Sequence, residues 1–165
     1  MGFKLEKEKR KKLEDLKLAE SRRVVLTEGT LIELLDGMEE VLGESALIAL
    51  LYSAGLRRGR RVVEYLKEEE KEWDLEKWLD ESLRLPRQEG IFSNYKIDLE
   101  KGKIYISNSI ECRLERMSGK SYGRCCFTQG YISGILNSLI EGVKVKEIVH
   151  KKREGEDFLC IYEIK

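Results

Sequence analysis

Side chains that bind transition metals are concentrated in the C-terminal part of the chain. The only histidine, His150, lies three positions after Glu147 and ten before Cys160, and Cys125 precedes them all. Thiolate, imidazole and carboxylate groups are the ligands that zinc takes in proteins, at roughly 2.0–2.3 Å. These four side chains could together complete a four-coordinate zinc site.

A hairpin must position three of these four side chains. Residues 143–152 and 158–164 alternate in the manner of paired strands, with a charged tip around Gly155. If the turn centres on Gly155, His150 and Cys160 are directly opposed, with Cβ atoms about 5 Å apart. Glu147 and His150 are three positions apart and would point to opposite faces of a regular strand. A β-bulge between them would bring both to one side.

Spacing alone leaves other interpretations open. There is no Cys-x-x-Cys pair, and Cys112 and Cys126 are further candidates. Adjacent side chains point in different directions, so at most one of Cys125 and Cys126 is expected to bind a metal. The cysteines could instead be core residues beside a surface histidine. A catalytic cysteine–histidine pair is a third interpretation, but the sequence shows neither a third orienting group nor an oxyanion motif for it.

The rest of the sequence predicts an α+β fold with an antiparallel sheet built from two hairpins and covered by several helices. A charged N-terminal helix is expected at 1–20, followed by a single domain at 21–165. Helices are predicted at 30–42, 46–70, 75–85 (ended by Pro86) and 128–140, with a short helix or strand extension at 111–117. The first hairpin is predicted from 91–99 and 104–110. Gly55 and Gly59 lie on one face of the second helix, where a close helix or ligand approach would explain them.

Composition restricts the partners. The 31 basic and 31 acidic residues balance, so no nucleic-acid or anionic-membrane footprint is expected. The sequence holds no apolar run long enough for a transmembrane helix and no secretory h-region at its start. We therefore expect a cytoplasmic protein whose cysteines are reduced. Abundant Lys and Glu with scarce Gln and Asn suit a thermophile.

Several segments together resemble the 4-vinyl reductase, or hydrocarbon-binding, domain family. They are residues 109–112, 123–136, 147–150 and 155–160, with the glycine-containing helix at 52–59. The most specific part is a Cys-x-x-x-x-Gly-Tyr-x-x-Gly motif followed by a Cys-bearing hairpin. The resemblance covers roughly residues 20–165.

The resemblance implies a fold shared with a vesicle-tethering subunit family and with haem nitric-oxide sensor domains, often dimeric. In zinc-containing members the ligands are the cysteine before the Gly-Tyr-x-x-Gly helix, a Glu-x-x-Cys and a later cysteine. They correspond here to Cys125, Glu147, His150 and Cys160. Histidine replaces the middle cysteine, which conserves the zinc chemistry.

A small-molecule sensor or carrier with a structural zinc is therefore the first functional hypothesis, and a homodimer is expected. The ligand would be an apolar, aromatic or hydrocarbon molecule. Its predicted binding residues are Phe127, Tyr131, Ile135 and Val145, although helical apolar stripes are usually core. The alternatives are a reductase component or zinc-dependent enzyme, and an assembly or tethering subunit. No catalytic residue is assigned, because neither a dinucleotide fingerprint nor a phosphate loop occurs.

Overall fold

The computed structural model describes residues 26–68, 72–152 and 158–165. The helix predicted at 1–20 lies outside this part of the chain. The described residues form five helices and four strands. In chain order they are α1 (Glu28–Leu42), α2 (Glu44–Lys67), α3 (Leu75–Gln88), β1 (Asn94–Asp98), β2 (Lys103–Ser107), α4 (Ile110–Ser118), α5 (Cys126–Leu139), β3 (Val145–Lys152) and β4 (Phe158–Ile164).

The strands form one antiparallel sheet in the order β1-β2-β4-β3. Strands β1 and β2 form one hairpin and β3 and β4 form the other, and the β2–β4 pairing joins the two hairpins. Alternate residues of the central strands are fully buried, among them Ile104 and Ile106 of β2 and Cys160 and Tyr162 of β4. They belong to one core with the apolar side chains of α5. The predicted α+β class with a two-hairpin sheet is confirmed.

Side-chain caps set the starts of three helices. Thr27 accepts a hydrogen bond from the backbone N–H of Thr30, Asp74 from that of Lys77, and Ser109 from that of Cys112. Each of these oxygens satisfies an N–H that has no partner within the first helical turn. The segment around 111–117 is therefore a helix, α4, and not an extension of the preceding strand.

The prediction that Pro86 ends a helix is wrong, because α3 continues to Gln88 with Pro86 inside its last turn. Proline has no N–H, so the carbonyl of Ser82 loses its normal partner four residues on. The hydroxyl of Tyr131 donates a hydrogen bond to this carbonyl at 2.8 Å. A side chain of α5 thus replaces the missing backbone donor and allows the helix to continue.

The contact between α2 and α5 depends on two pairs of glycines. A Cβ on Gly55 would lie 2.1 Å from the carbonyl oxygen of Phe127, and one on Gly59 would lie 2.1 Å from that of Tyr131. Gly130 and Gly134 of α5 meet the backbone of α2 as closely. The close approach that the glycine spacing suggested is thus between two helices. No helix among the described residues has the length and hydropathy that crossing a bilayer requires.

Candidate metal centre

The loop before α5 brings Cys125 into the interior. Gly123 and Arg124 both have positive φ angles, of 75° and 54°, so the chain turns sharply before the helix begins. Cys125 then occupies the N-cap position of α5 and is 1% exposed. Its neighbour Cys126 points elsewhere: its sulfur faces the carbonyl oxygen of Tyr122 at 3.7 Å. The side chains of the two adjacent cysteines therefore point in different directions, as expected for neighbouring positions.

A buried carboxylate holds the start of α5 in place. Glu111 accepts hydrogen bonds from the backbone N–H and the hydroxyl of Thr128, both at 2.8 Å. Thr128 lies in the first turn of α5, so the carboxylate caps a helix that has no side-chain cap of its own. Burial raises the pKa of Glu111. These hydrogen bonds give Glu111 an internal role at the junction of α4 and α5.

The second hairpin positions His150 and Cys160 as the sequence predicts. The two residues are direct partners in the β3–β4 register. The register shifts between Glu147 and Val149, which makes Ile148 the extra residue of a β-bulge. The bulge brings Glu147 to the side of His150, with 3.6 Å between Glu147 Oε1 and His150 Nδ1. The strand therefore contains the β-bulge that Glu147 and His150 need in order to lie on one side.

Cys112, in the first turn of α4, joins this group. The cap by Ser109 orients the turn, and the Ser109 hydroxyl lies 3.2 Å from the sulfur atoms of both Cys112 and Cys125. Cys112 is fully buried. Four ligand atoms, from Cys112, Cys125, His150 and Cys160, lie within 4.8 Å of one another.

The distances within this cluster suit one small cation. The sulfur of Cys125 is 3.0 Å from that of Cys160 and 3.3 Å from that of Cys112. His150 Nδ1 is 3.3 Å from the Cys160 sulfur and 3.6 Å from the Cys125 sulfur. Sulfur atoms bound tetrahedrally to zinc would be about 3.8 Å apart. All four cysteines are free, and a small expansion of the cluster would make room for an ion.

Hydrogen bonding inside the cluster strongly shifts its proton equilibria. The thiols of Cys125 and Cys160 lower the pKa of Cys112, and their interaction with Cys112 raises their own pKa values, that of Cys160 to about 12. Hydrogen bonds with Cys112 and Cys160 raise the pKa of His150 to about 12. The cluster thus favours negative charge on its sulfur atoms with protons held around them, and a metal cation could replace those protons.

A second carboxylate orients the imidazole from its other side. Glu115 Oε2 lies 3.2 Å from His150 Nε2. With a metal in place of the Nδ1 proton, the Nε2–H group would donate to Glu115 and the Nδ1 lone pair would face the ion. This carboxylate–histidine arrangement is common around protein-bound metals.

Glu147 lies beside the cluster but outside the set of four close ligand atoms. Its side chain is 10% exposed, and its Oε1 accepts no hydrogen bond within the described chain. The structure thus brings Cys125, His150 and Cys160 together with Cys112, and Glu147 lies beside this group.

Sequence reasoning considered Cys112 but could not position it, and it missed Ser109 and Glu115. A usable signal existed in the N-cap serine, which predicts a helix starting at 110. Cys112 and Glu115 are three positions apart, so such a helix presents them on one face. The face that meets the hairpin depends on long-range packing, which the local sequence does not reveal.

The predicted ligand-binding residues are divided between a cavity and the core. Phe127 and Tyr131 line a cavity of about 180 Å³ between α2, α5 and the end of α3. Ile135 is fully buried and Val145 is 8% exposed, both within the main core and outside the wall of this cavity.

Comparison with known proteins places the fold. No family model matches the chain, and no curated protein does. Among solved structures, the chain is similar to the crystal structure of the phenol-responsive sensory domain of the transcription activator PoxR with phenol. The TM-score is 0.63 at 19% sequence identity, over 86% of this chain and 76% of that chain. The chain therefore shares the fold of a sensory domain, while membership of the 4-vinyl reductase family stays a prediction.

Proposed function

We propose that this protein is a sensory or carrier domain that binds a small apolar molecule and contains one structural zinc ion. The observation that carries the proposal is the Cys112, Cys125, His150, Cys160 cluster, which joins α4, α5 and the last hairpin. Support for the ligand-binding part comes from the likeness to a phenol-responsive domain and from the cavity beside Phe127 and Tyr131.

Zinc is the metal that this donor set favours. Three thiolates and one imidazole form a common structural zinc set, and soft sulfur ligands disfavour magnesium and calcium. In the proposed set Cys112 takes the place that the sequence assigned to Glu147. Glu147 would then be an outer carboxylate facing His150, while Glu115 accepts a hydrogen bond from Nε2–H.

Four protein ligands favour a structural role over a catalytic one. A closed tetrahedral sphere leaves no position for water or substrate, whereas catalytic zinc usually keeps one open. The three cysteine ligands are also deeply buried, since Cys112, Cys125 and Cys160 are at most 1% exposed. The zinc would add a cross-link between α4, α5 and the last hairpin.

Helix α5 links the zinc to the cavity. Cys125 is its N-cap residue, and its first two turns supply Phe127 and Tyr131 to the cavity wall. A molecule that fills the cavity would press on the same rigid helix that carries a zinc ligand. Occupancy of the cavity would therefore shift α5 and, through the zinc, the last hairpin, which would carry the change to a partner protein.

Two measurements on one preparation test the proposal. Protein purified without added metal should contain about one zinc per chain by elemental analysis. Mass spectrometry of its organic extract should identify a small apolar molecule, or the protein should bind added phenol in calorimetry. The zinc proposal would be contradicted if the purified protein contains no metal and also binds no divalent cation when one is added. Failure of any small apolar molecule to bind would contradict the sensor proposal.

A further inference from the structure

The cavity beside Tyr131 has an apolar wall and a charged rim. Pro86, Ile91, Phe127 and Tyr131 supply the apolar wall. The Tyr131 hydroxyl donates a hydrogen bond to the Ser82 carbonyl, so its proton is not available to a molecule in the cavity. At about 180 Å³, the cavity is comparable to an engineered protein cavity of about 150 Å³ that accepts benzene. One aromatic ring or a short branched chain therefore matches its size.

The charged rim consists of Arg58 from α2 and Glu89 at the end of α3. Arg58 Nη2 contacts Glu89 Oε1 at 3.1 Å, and the two side chains are 27% and 36% exposed. Ion pairs this exposed contribute little to stability and exchange readily with solvent. Glu89 follows the last residue of α3, so its side chain can turn into water without disturbing the helix.

We propose that the cavity binds a small apolar molecule carrying one carboxylate, and that Arg58 binds this carboxylate in place of Glu89. The inference rests on the proposed ligand-binding function and names its ligand class. The planar guanidinium group matches a carboxylate with two parallel hydrogen bonds, which is stronger than the single contact that Glu89 makes. An aryl or short alkyl carboxylate fits this arrangement.

The charge of the rim is what selects a carboxylate over a neutral molecule. A neutral aromatic ring gains the apolar contacts but leaves the Arg58–Glu89 pair unchanged. A carboxylate keeps Arg58 paired while its apolar body fills the cavity, and Glu89 becomes hydrated. The anion therefore gains the arginine contact in addition to the burial that both kinds of molecule share.

Calorimetric titration of the full-length, zinc-loaded protein tests this inference with benzoate and with benzamide, its neutral isostere. We expect benzoate to bind up to about fivefold more tightly, because the arginine that it pairs with lies at a partly exposed rim. Arg58→Gln should remove that advantage and leave benzamide binding unchanged. Glu89→Gln should strengthen benzoate binding, because the competing carboxylate is gone. Arg57→Gln, which changes an exposed neighbour on α2, is the matched control and should have no effect.

The outcomes separate the two levels of the argument. Equal affinity for benzoate and benzamide, or unchanged benzoate binding in Arg58→Gln, would overturn the carboxylate inference. If phenol or benzamide binds and benzoate does not, the carboxylate inference fails while the ligand-binding function stands. If none of the three binds to zinc-loaded protein, both are contradicted. Should Arg58→Gln fold poorly, the benzoate-to-benzamide ratio and the Glu89→Gln gain still decide the question.

Discussion

The sulfur atoms of Cys112 and Cys160 lie 3.5 Å apart, although 48 positions separate the two residues in the chain. One belongs to the first turn of α4 and the other to the central strand β4. The contact brings a third thiol to the pair that the hairpin and the start of α5 already form. It is the reason that the proposed zinc set contains Cys112 in the place of Glu147.

Exchanging single donors will distinguish these two ligand sets. Cys112→Ser should lose most of the bound zinc, because the hydroxyl is a far weaker ligand than a thiolate. Glu147→Gln should keep about one zinc per chain. Elemental analysis provides the measurement, and the thiolate charge-transfer absorption of the cobalt-substituted protein gives an independent count of sulfur ligands. Cys126→Ser is the control, since its sulfur faces the Tyr122 carbonyl. Metal lost from Glu147→Gln but retained in Cys112→Ser would restore the set with Glu147.

Removal of the zinc should destabilise the protein and loosen its C-terminal part. At free zinc a thousandfold above the dissociation constant, bound metal adds about 4 kcal/mol to the free energy of unfolding. A chelator should therefore lower the melting temperature, and added zinc should restore it. Hydrogen exchange should increase most in β3, β4 and the first turn of α5. A chelator should not change the melting temperature of Cys125→Ser, which cannot form the site. An unchanged melting temperature in the parent protein would argue against a structural metal.

Gly59→Ala should strongly destabilise the contact between α2 and α5. The new Cβ would lie 2.1 Å from the Tyr131 carbonyl oxygen, and neither backbone can yield without moving a helix. We expect a loss of at least about 3 kcal/mol in the free energy of unfolding. Gly37→Ala is the matched control: it lies in α1 with nothing within 4 Å, and it should stabilise by up to about 1 kcal/mol. Denaturant unfolding measures both, and equal effects would show that the close contact is not formed.

The Tyr131 hydroxyl should matter because Pro86 lacks an N–H. Tyr131→Phe leaves the buried Ser82 carbonyl without that donor, which should cost about 1–3 kcal/mol. In a Pro86→Ala background the backbone N–H of residue 86 can bond to the same carbonyl, so Tyr131→Phe should cost less. A double-mutant cycle by denaturant unfolding measures the difference. Equal costs in the two backgrounds would refute this link between the proline and the tyrosine.

Local features of the fold were predictable because they depend on short separations along the chain. The four strands and four of the five helices in the described part of the chain follow from turn residues and apolar periodicity, whereas the sequence leaves 111–117 open between helix and strand. The opposition of His150 and Cys160 follows from the position of Gly155 between them, since a hairpin pairs residues symmetrically about its turn. The need for a bulge after Glu147 followed from the two-residue period of a strand.

Three features required the tertiary structure, and each depends on a group from a distant segment. The helix containing Pro86 continues because Tyr131 supplies a donor, the glycines of α2 are explained by those of α5, and Cys112 reaches the cluster through the packing of α4. The sequence by itself determined the types of ligand atoms and their positions on each element. Which of them share one site was decided by the packing of elements, because spacing along a chain specifies neighbours within a helix or hairpin but not between them.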